Sequence, residues 1–266
     1  MITRDFEARD AARNRTFPAT VWQPEGDGPF PLIVYSHGAA QHRKNATFLT
    51  SFLAENGYRV AALDHSEVVA PELRRPSSET EEQKQRRWRA VIDSRVPDIR
   101  FLLDQLGAGD RVGIVGHSFG AWTALAAPDV EPRIAAIVAL AAGGTKDPRP
   151  GILPVTLDFR WNREIPTLVV GAENDTSLPI EGMFETFERI PSKQKTLAVL
   201  HRADHMHFVD EIEKLHEAFR TANMGPELAA IQREMLPMSE LTSEEEAHRF
   251  VREIVLAHFN QHLLQM

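Results

Sequence analysis

The sequence predicts an α/β fold: a mostly parallel central sheet with helices on both faces and an antiparallel strand pair at the amino terminus. Three observations carry this. From Leu32 onward, short runs of β-branched apolar residues alternate with helical stretches. Several of these runs end in Gly-containing turns that lead into a helix. The chain of 266 residues, 42% hydrophobic and 26% charged, is also long enough to bury strands on both faces. Such alternation requires parallel strands joined by crossover helices, and the right-handed connection places those helices on both sheet faces. No internal repeat, low-complexity segment or Pro/Gly/Ser-rich linker divides the chain, so a single domain over 1–266 is expected.

Taken in order, Ile2 to Ala8 and Phe17 to Gln23 flank a turn at Asp10 to Arg15 and read as the antiparallel pair, closed by Pro24 and Gly26-Asp27-Gly28. Leu32 to Tyr35 is a run buried on both faces, ending in Ser36-His37-Gly38. A helix from Ala46 to Glu55 stops at Asn56-Gly57, and Tyr58 to Leu63 forms the next strand, ending at Asp64-His65. Glu79 to Arg95 reads as a charged helix with a solvated face. Pro97 then restarts a second helix, in which Ile99, Leu102, Leu103 and Leu106 make an apolar stripe ending at Gly107. Strands Arg111 to Val115, Ile134 to Leu140, Thr167 to Val170 and Thr196 to Leu200 follow, with helices Ser118 to Ala126 and Gly182 to Arg189 between them. The tail, Glu244 to Leu264, opens in capping-box spacing at Thr242-Ser243 and Glu245-Glu246. It carries Phe250, Ile254, Val255 and Phe259 on one face, as a helix packed on the sheet would.

Composition excludes several classes of function. There is no cysteine, which rules out disulfides, a thiol nucleophile, iron-sulfur clusters and thiolate zinc sites. A formal charge of -8 and the absence of a basic block argue against nucleic acid or anionic membrane as partners. The amino-terminal segment lacks the apolar core of a signal peptide, and no run approaches the about 20 apolar residues of a membrane span, so a cytoplasmic location is expected.

Gly116-His117-Ser118-Phe119-Gly120 lies where a buried strand passes into a helix. The G-x-S-x-G pattern is weak alone, but this context makes it a nucleophile turn. Glycines on either side allow neighbouring backbones to approach, and the serine stands at the positive end of a helix. A hydroxyl needs a base, and the base needs an orienting acid, in the order Ser, Asp/Glu, His for such a strand-turn-helix serine. Asp175, in the loop after Thr167 to Val170, and His205, in the loop after Thr196 to Leu200, meet that order. The backbone N–H groups of Phe119 and Ala39 are the expected oxyanion donors, with Gly38 permitting the turn that aims the second.

These motifs resemble the α/β-hydrolase superfamily, and within it the dienelactone-hydrolase-related esterases and the platelet-activating-factor acetylhydrolases. The matching pieces are Phe17-Pro18, Val21-Trp22-Gln23-Pro24, Pro29-Phe30-Pro31-Leu32 before Ser36-His37-Gly38, Gly116 to Gly120, and His205-Met206-His207-Phe208 as an H-x-x-F motif. The resemblance implies Ser118 as nucleophile, Asp175 as acid, His205 as base and Ala39 with Phe119 as oxyanion donors. Dienelactone hydrolases use a cysteine nucleophile, which this chain lacks.

Competing readings exist for several residues. His207 is a rival base, and Glu173, Asp158 and Asp64 are rival acids. His201, His205 and His207 could instead be read as metal ligands with Asp204 or Asp210, although a complete serine constellation makes metal unnecessary. His37 is expected to brace the oxyanion loop and His117 to sit beneath the serine turn. Together with Trp161, Met206 and His207 they are the candidate substrate-pocket residues. Cap elements are expected at about 68–92, 143–163 and 209–241. The resulting expectation is a cofactor-free serine hydrolase acting on small or short-acyl carboxylic esters. The alternatives are thioester, amide or peptide hydrolysis with the same residues, or a non-catalytic ligand-binding protein on this fold. Oligomeric state is not legible in the sequence.

Overall fold

The computed structural model describes residues 1–144, 148–223 and 225–264. Eight strands form one sheet in the order β1-β2-β4-β3-β5-β6-β7-β8. They are β1 (Ile2–Asp10), β2 (Arg15–Gln23), β3 (Leu32–Ser36), β4 (Arg59–Leu63), β5 (Val112–His117), β6 (Ile134–Leu140), β7 (Thr167–Ala172) and β8 (Lys195–Leu200). The β1–β2 pair is antiparallel as expected, and β2 is also antiparallel to β4. From β4 through β8 every neighbouring pair is parallel.

The helices are α1 (Thr47–Glu55), α2 (Ser66–Val69), α3 (Glu81–Gln105), α4 (Phe119–Ala126), α5 (Ile180–Arg189), α6 (Ile212–Thr221), α7 (Pro226–Glu234) and α8 (Glu244–Phe259). Strand alternation divides the core into two layers, one on each sheet face. Val34, Ile114, Ile137 and Val169 join α3 and α4 in one layer. Ile33, Val115, Val138 and Val170 join α1 and α8 in the other. Val255 and Phe259 of α8 are buried there, with Phe250 and Ile254 packed at its margin. Among the described residues no helix is long and apolar enough to cross a membrane.

Two expectations need correction. Residues 81–105 form one helix rather than two, with Pro97 inside it. The helix is capped by Thr80, whose hydroxyl accepts the Gln83 N–H at 3.2 Å while Gln83 Oε1 accepts the Thr80 N–H at 2.8 Å. Proline removes the hydrogen bond to the carbonyl of Asp93, but Pro97 and Asp93 both face solvent, where water can serve that carbonyl. Meanwhile Val91, Ile99, Leu102 and Leu103 anchor both halves in the core. Nor is the charged half of this helix wholly solvated: Arg95 is fully buried.

The crossover from β6 to β7 departs from the helical pattern. Its described residues contain no helix, although parallel neighbours need a connection of about a dozen residues or more. The segment is held by burying Val155, Leu157, Trp161 and Ile165 in the core. Residues 145–147 of the expected cap element lie outside the described residues.

Because Pro97 interrupts an otherwise continuous helix, Pro97→Ala restores one hydrogen bond. It should raise the unfolding free energy by about 2 kcal/mol, net of the entropy returned to the unfolded chain. Urea denaturation measures this; a neutral or destabilising result would mean that two helices, not one, meet at this position.

Candidate active site

Four segments at the carboxyl ends of the parallel strands bring the candidate residues together. The first is the turn from β5 into α4. Ser118 has φ 57° and ψ -118°, a left-handed conformation costly for a residue with a side chain. It survives because the glycines let three backbones touch. A Cβ on Gly116 would lie 2.1 Å from the Gly120 carbonyl oxygen, and one on Gly120 would lie 1.9 Å from the Ser36 carbonyl oxygen. The Ser118 N–H donates to the Leu140 carbonyl on β6 at 2.8 Å, locking the turn to the sheet.

The second and third segments follow β7 and β8. Asp175, 6% exposed, accepts on Oδ1 the N–H groups of Ser177 at 2.9 Å and Leu178 at 2.7 Å. Its Oδ2 lies 2.7 Å from His205 Nδ1, and His205 Nε2 lies 2.9 Å from Ser118 Oγ. With the proton on Nδ1 donating to the carboxylate, Nε2 is free to accept the serine hydroxyl. Burial works against charging His205, but the adjacent Asp175 carboxylate outweighs it by charge and hydrogen bond, and the imidazole pKa is raised.

The turn carrying His205 is fixed by its neighbours. Asp204 and His207 form a reciprocal cap of the short helix His205–Phe208: Asp204 Oδ1 accepts the Met206 N–H at 2.9 Å, and His207 Nδ1 accepts the Asp204 N–H at 3.0 Å. His207 Nε2 donates to the Thr242 carbonyl at 3.1 Å. His216 of α6 places Nδ1 2.6 Å from the other oxygen of Asp204, and its Nε2 donates to the Leu236 carbonyl at 2.8 Å. Desolvation opposes ionisation of Asp204, yet the hydrogen bond and charge of His216 hold its pKa well below the usual carboxylate range.

The fourth segment is the loop after β3. Ala39 and Phe119 both line a cavity of about 260 Å³ that Ser118 and His205 also reach. As the first residue of α4, Phe119 has no preceding helical turn to accept its N–H. Within the loop it is Ala40, at φ 55°, that takes the left-handed conformation. Gly38 instead donates its N–H to Gln41 Oε1 at 3.0 Å, and a Cβ there would sit 2.5 Å from that oxygen.

Cavity walls come from two of the three expected cap segments. The β6–β7 crossover contributes Pro148, Gly151, Ile152, Leu153 and Val155. Helices α6 and α7 contribute Phe219 and Leu228, and the Asp175 loop adds Ser177 and Leu178. Arg149 ties these segments together, donating to the Thr176 carbonyl at 2.7 Å and pairing with both carboxylate oxygens of Glu234 at 2.6 and 2.7 Å. Residues 68–92 contribute nothing to the lining among the described residues.

None of the five sequence-predicted pocket residues lines this cavity. His37 is fully buried beneath the loop, its Nδ1 donating to the Gly38 carbonyl at 2.7 Å and its Nε2 accepting the His65 N–H at 3.0 Å. His117, also fully buried, donates from Nε2 to the His205 carbonyl at 3.0 Å. Trp161 packs in the core, edge-on to Phe159. His207 is turned inward as the cap partner of Asp204, and Met206 beside it is half-buried outside the cavity. Burial lowers the pKa of both His37 and His117 well below 6.5, with the Arg95 charge adding to the effect at His37 and His205 at His117.

The rival acids go elsewhere. Glu173 pairs with exposed His201 at 2.6 Å, Asp158 with exposed Arg160 at 3.2 Å, and Asp64 with Arg43 at 2.6 Å. Each of the three histidines of the metal reading faces a different carboxylate, so they do not converge on a common point.

Sequence reasoning missed a buried polar network under the loop after β3. Arg95 of α3 donates from Nη1 to the His37 carbonyl at 2.6 Å and from Nη2 to the Gly38 carbonyl at 3.1 Å. It also pairs with Glu67 of α2, and its guanidinium lies 4.1 Å from the centre of the Phe119 ring. Beside it, Ser36 Oγ lies 2.9 Å from His65 Nε2, and His65 Nδ1 lies 3.2 Å from Asp98. This second Ser-His-Asp chain is fully buried at all three residues, closed to any substrate, and serves as a brace. A signal did exist: Arg95 and Asp98 fall in phase with Val91, Ile99 and Leu102 on the apolar stripe.

A serine turn between a parallel strand and a helix, with acid and histidine on later strand ends of this sheet, defines the α/β-hydrolase fold. The sequence pattern of the alpha/beta hydrolase family matches residues 33–163. A bis(hydroxyethyl) terephthalate hydrolase of Streptomyces coelicolor is 28% identical over 173 residues, covering 63% of this chain and 48% of that protein. A platelet-activating factor acetylhydrolase of Cavia porcellus is 26% identical over 220 residues, covering 68% of this chain and 48% of that one. Among solved structures, a ferulic acid esterase from Streptomyces cinnamoneus superimposes with a TM-score of 0.65 at 23% identity, covering 98% of this chain and 89% of that one. The chain spans about half the length of the curated relatives it matches.

Nuclear magnetic resonance titration should show His205 protonating with a midpoint above 6.5, while His37, His65 and His117 stay neutral well below it. Asp175→Asn should bring the His205 midpoint down. Because folding raises this pKa, the stability His205 contributes is fully present below about pH 6.5 and is lost as pH rises through the folded value. A wild-type midpoint at or below 6.5 would mean the Asp175 contact is not formed in solution.

Proposed function

We propose that this protein is a serine carboxylic-ester hydrolase working through an acyl-enzyme. The observation that carries the reading is the unbroken chain from Asp175 through His205 to Ser118, at 2.7 and 2.9 Å, opening onto an apolar cavity. Ser118 Oγ attacks the ester carbonyl while His205 Nε2 takes its proton. Asp175 holds the imidazolium, and the N–H groups of Ala39 and Phe119 receive the oxyanion. Collapse expels the alcohol with the proton from His205, and water then repeats the cycle on the acyl-enzyme.

The substrate class follows from the walls. The cavity of about 260 Å³ is lined mostly by apolar residues, with Gln41, Ser118, Ser177 and His205 as its polar members, and carries no acidic, lysine or arginine residue among its described lining. A charged substrate group would lose its hydration there without a partner, so neutral esters with small or short acyl groups are the proposed substrates. Relatives named as a bis(hydroxyethyl) terephthalate hydrolase, a cutinase and a platelet-activating factor acetylhydrolase support ester hydrolysis as the reaction.

Fluorophosphonate labelling together with hydrolysis of p-nitrophenyl esters of increasing chain length tests the reading. Wild type should label and turn over short esters fastest. Ser118→Ala should abolish labelling, and Ser118→Ala and His205→Ala should each lower kcat by about 10⁴-fold or more. His207→Ala, which removes a buried cap and the bond to the Thr242 carbonyl, should cost about 2 to 4 kcal/mol of stability with a far smaller loss of kcat than the His205 variant. Wild type that neither labels nor hydrolyses any ester would end the esterase reading; activity surviving in Ser118→Ala would end the assignment of the nucleophile.

A further inference from the structure

Arg95 is an unusual group to find under a loop. Its side chain is fully buried, and it lies 4.1 Å from the Phe119 ring centre and within hydrogen-bond reach of the His37 and Gly38 carbonyls. Among the described residues its one carboxylate partner by direct contact is Glu67, itself largely buried on α2. Burying a cation is expensive unless its donors are used, and two of these donors are spent on backbone carbonyls of one short loop.

Which carbonyls they are matters. The Gly38 carbonyl and the Ala39 N–H belong to the same peptide unit, and that unit is trans. In a trans peptide the C=O and N–H point in opposite directions. Holding the Gly38 carbonyl down onto Arg95 and onto His37 Nδ1, at 3.1 and 2.7 Å, therefore turns the Ala39 N–H up toward the cavity. A cation on the carbonyl end also draws electron density from the peptide and makes its N–H a stronger donor. The same guanidinium stacks on the side chain of Phe119, the residue carrying the other proposed donor, where ring and cation attract each other.

We infer that Arg95, paired with Glu67, is a positioning residue for the oxyanion hole: it aims and polarises the Ala39 N–H and seats Phe119 without touching substrate. The claim rests on the esterase reading for its catalytic consequence, but not for its geometry. Neither Arg95 nor Glu67 lines the cavity, so neither touches substrate directly.

The test uses two variants. Arg95→Met/Glu67→Gln removes the buried pair together, so that no uncompensated charge is left, and Arg95→Lys keeps the charge but loses the planar fork that spans the two carbonyls and stacks on Phe119. Both should lower kcat on p-nitrophenyl butyrate by about 10- to 100-fold, less than outright removal of an oxyanion donor, with KM within about 2-fold of wild type. The inhibition constant of a trifluoromethyl ketone, whose adduct with Ser118 is an oxyanion, should weaken by a similar factor. The pH midpoint governed by His205 should not move, since Arg95 does not contact it. A folded variant whose kcat and ketone affinity stay within about 2-fold of wild type, or whose loss lies wholly in KM, overturns the inference. Crystal structures of wild type and Arg95→Lys give a reading independent of activity and of the double variant's folding. The Gly38 carbonyl leaving its wild-type orientation on replacement of Arg95 supports the inference, and an unchanged Gly38–Ala39 peptide overturns it. If wild type neither labels nor hydrolyses, the esterase reading fails while this structural comparison still decides the positioning claim.

Discussion

The contact on which the site depends is between backbones: Gly120 against Ser36, and Gly116 against Gly120, at separations that leave no room for a Cβ. Only this close approach brings the β5–α4 turn and the loop after β3 side by side, and so sets Phe119 beside Ala39 at one cavity. The left-handed conformation of Ser118 is a consequence of the same crowding. Its cost is met by the sheet, through the Ser118 hydrogen bond to Leu140 and the buried strands on either side.

Around that contact, electrostatics divide into two kinds. Above the strand ends, Asp175 and Asp204 are carboxyl groups satisfied by backbone N–H groups and imidazoles, and each fixes one side of the His205 turn. Below, Arg95, Glu67, Asp98, His65 and His37 form a fully or largely buried network whose histidines stay neutral because burial and neighbouring cations oppose their charging. The upper set holds the His205 turn, and the lower set holds the loop that faces it. Their link to the cavity walls is mechanical: His216 joins α6 to Asp204, and Arg149 joins the crossover to α7 and to the Asp175 loop.

Much of this was legible locally. Periodicity identified the strands and most helices, because a strand buried on both faces must be a short apolar run and an amphipathic helix must repeat every three to four residues. The Ser118, Asp175 and His205 positions were legible because each sits on a turn that directly follows such a run. The continuity of α3 through Pro97 was not, since the local rule that proline starts a helix is overridden when both halves are anchored in one core. Nor was the cavity lining: His37 and His117 sit under the loop and the serine turn as the sequence suggested, but they, Trp161 and His207 are all absent from the walls. Side chains one residue apart in a tight turn face different directions, and these four turn inward.

The sequence by itself determined the class of fold, the order of its strand-end loops and the candidates Ser118, Asp175 and His205 that the fold brings into one chain, since these depend on patterns within about ten residues and on the order of those loops. Tertiary structure alone decided which distant segments wall the cavity and what lies beneath the loop after β3. Pro148, Leu178, Phe219 and Leu228 come from four segments with no common local pattern. Arg95 reaches the His37 and Gly38 carbonyls across a sequence separation of 58 and 57 residues. Its charge looks like solvated surface in the chain and becomes a buried clamp only when the helix is laid against the sheet, because burial is a property of the packed whole and not of any window of sequence.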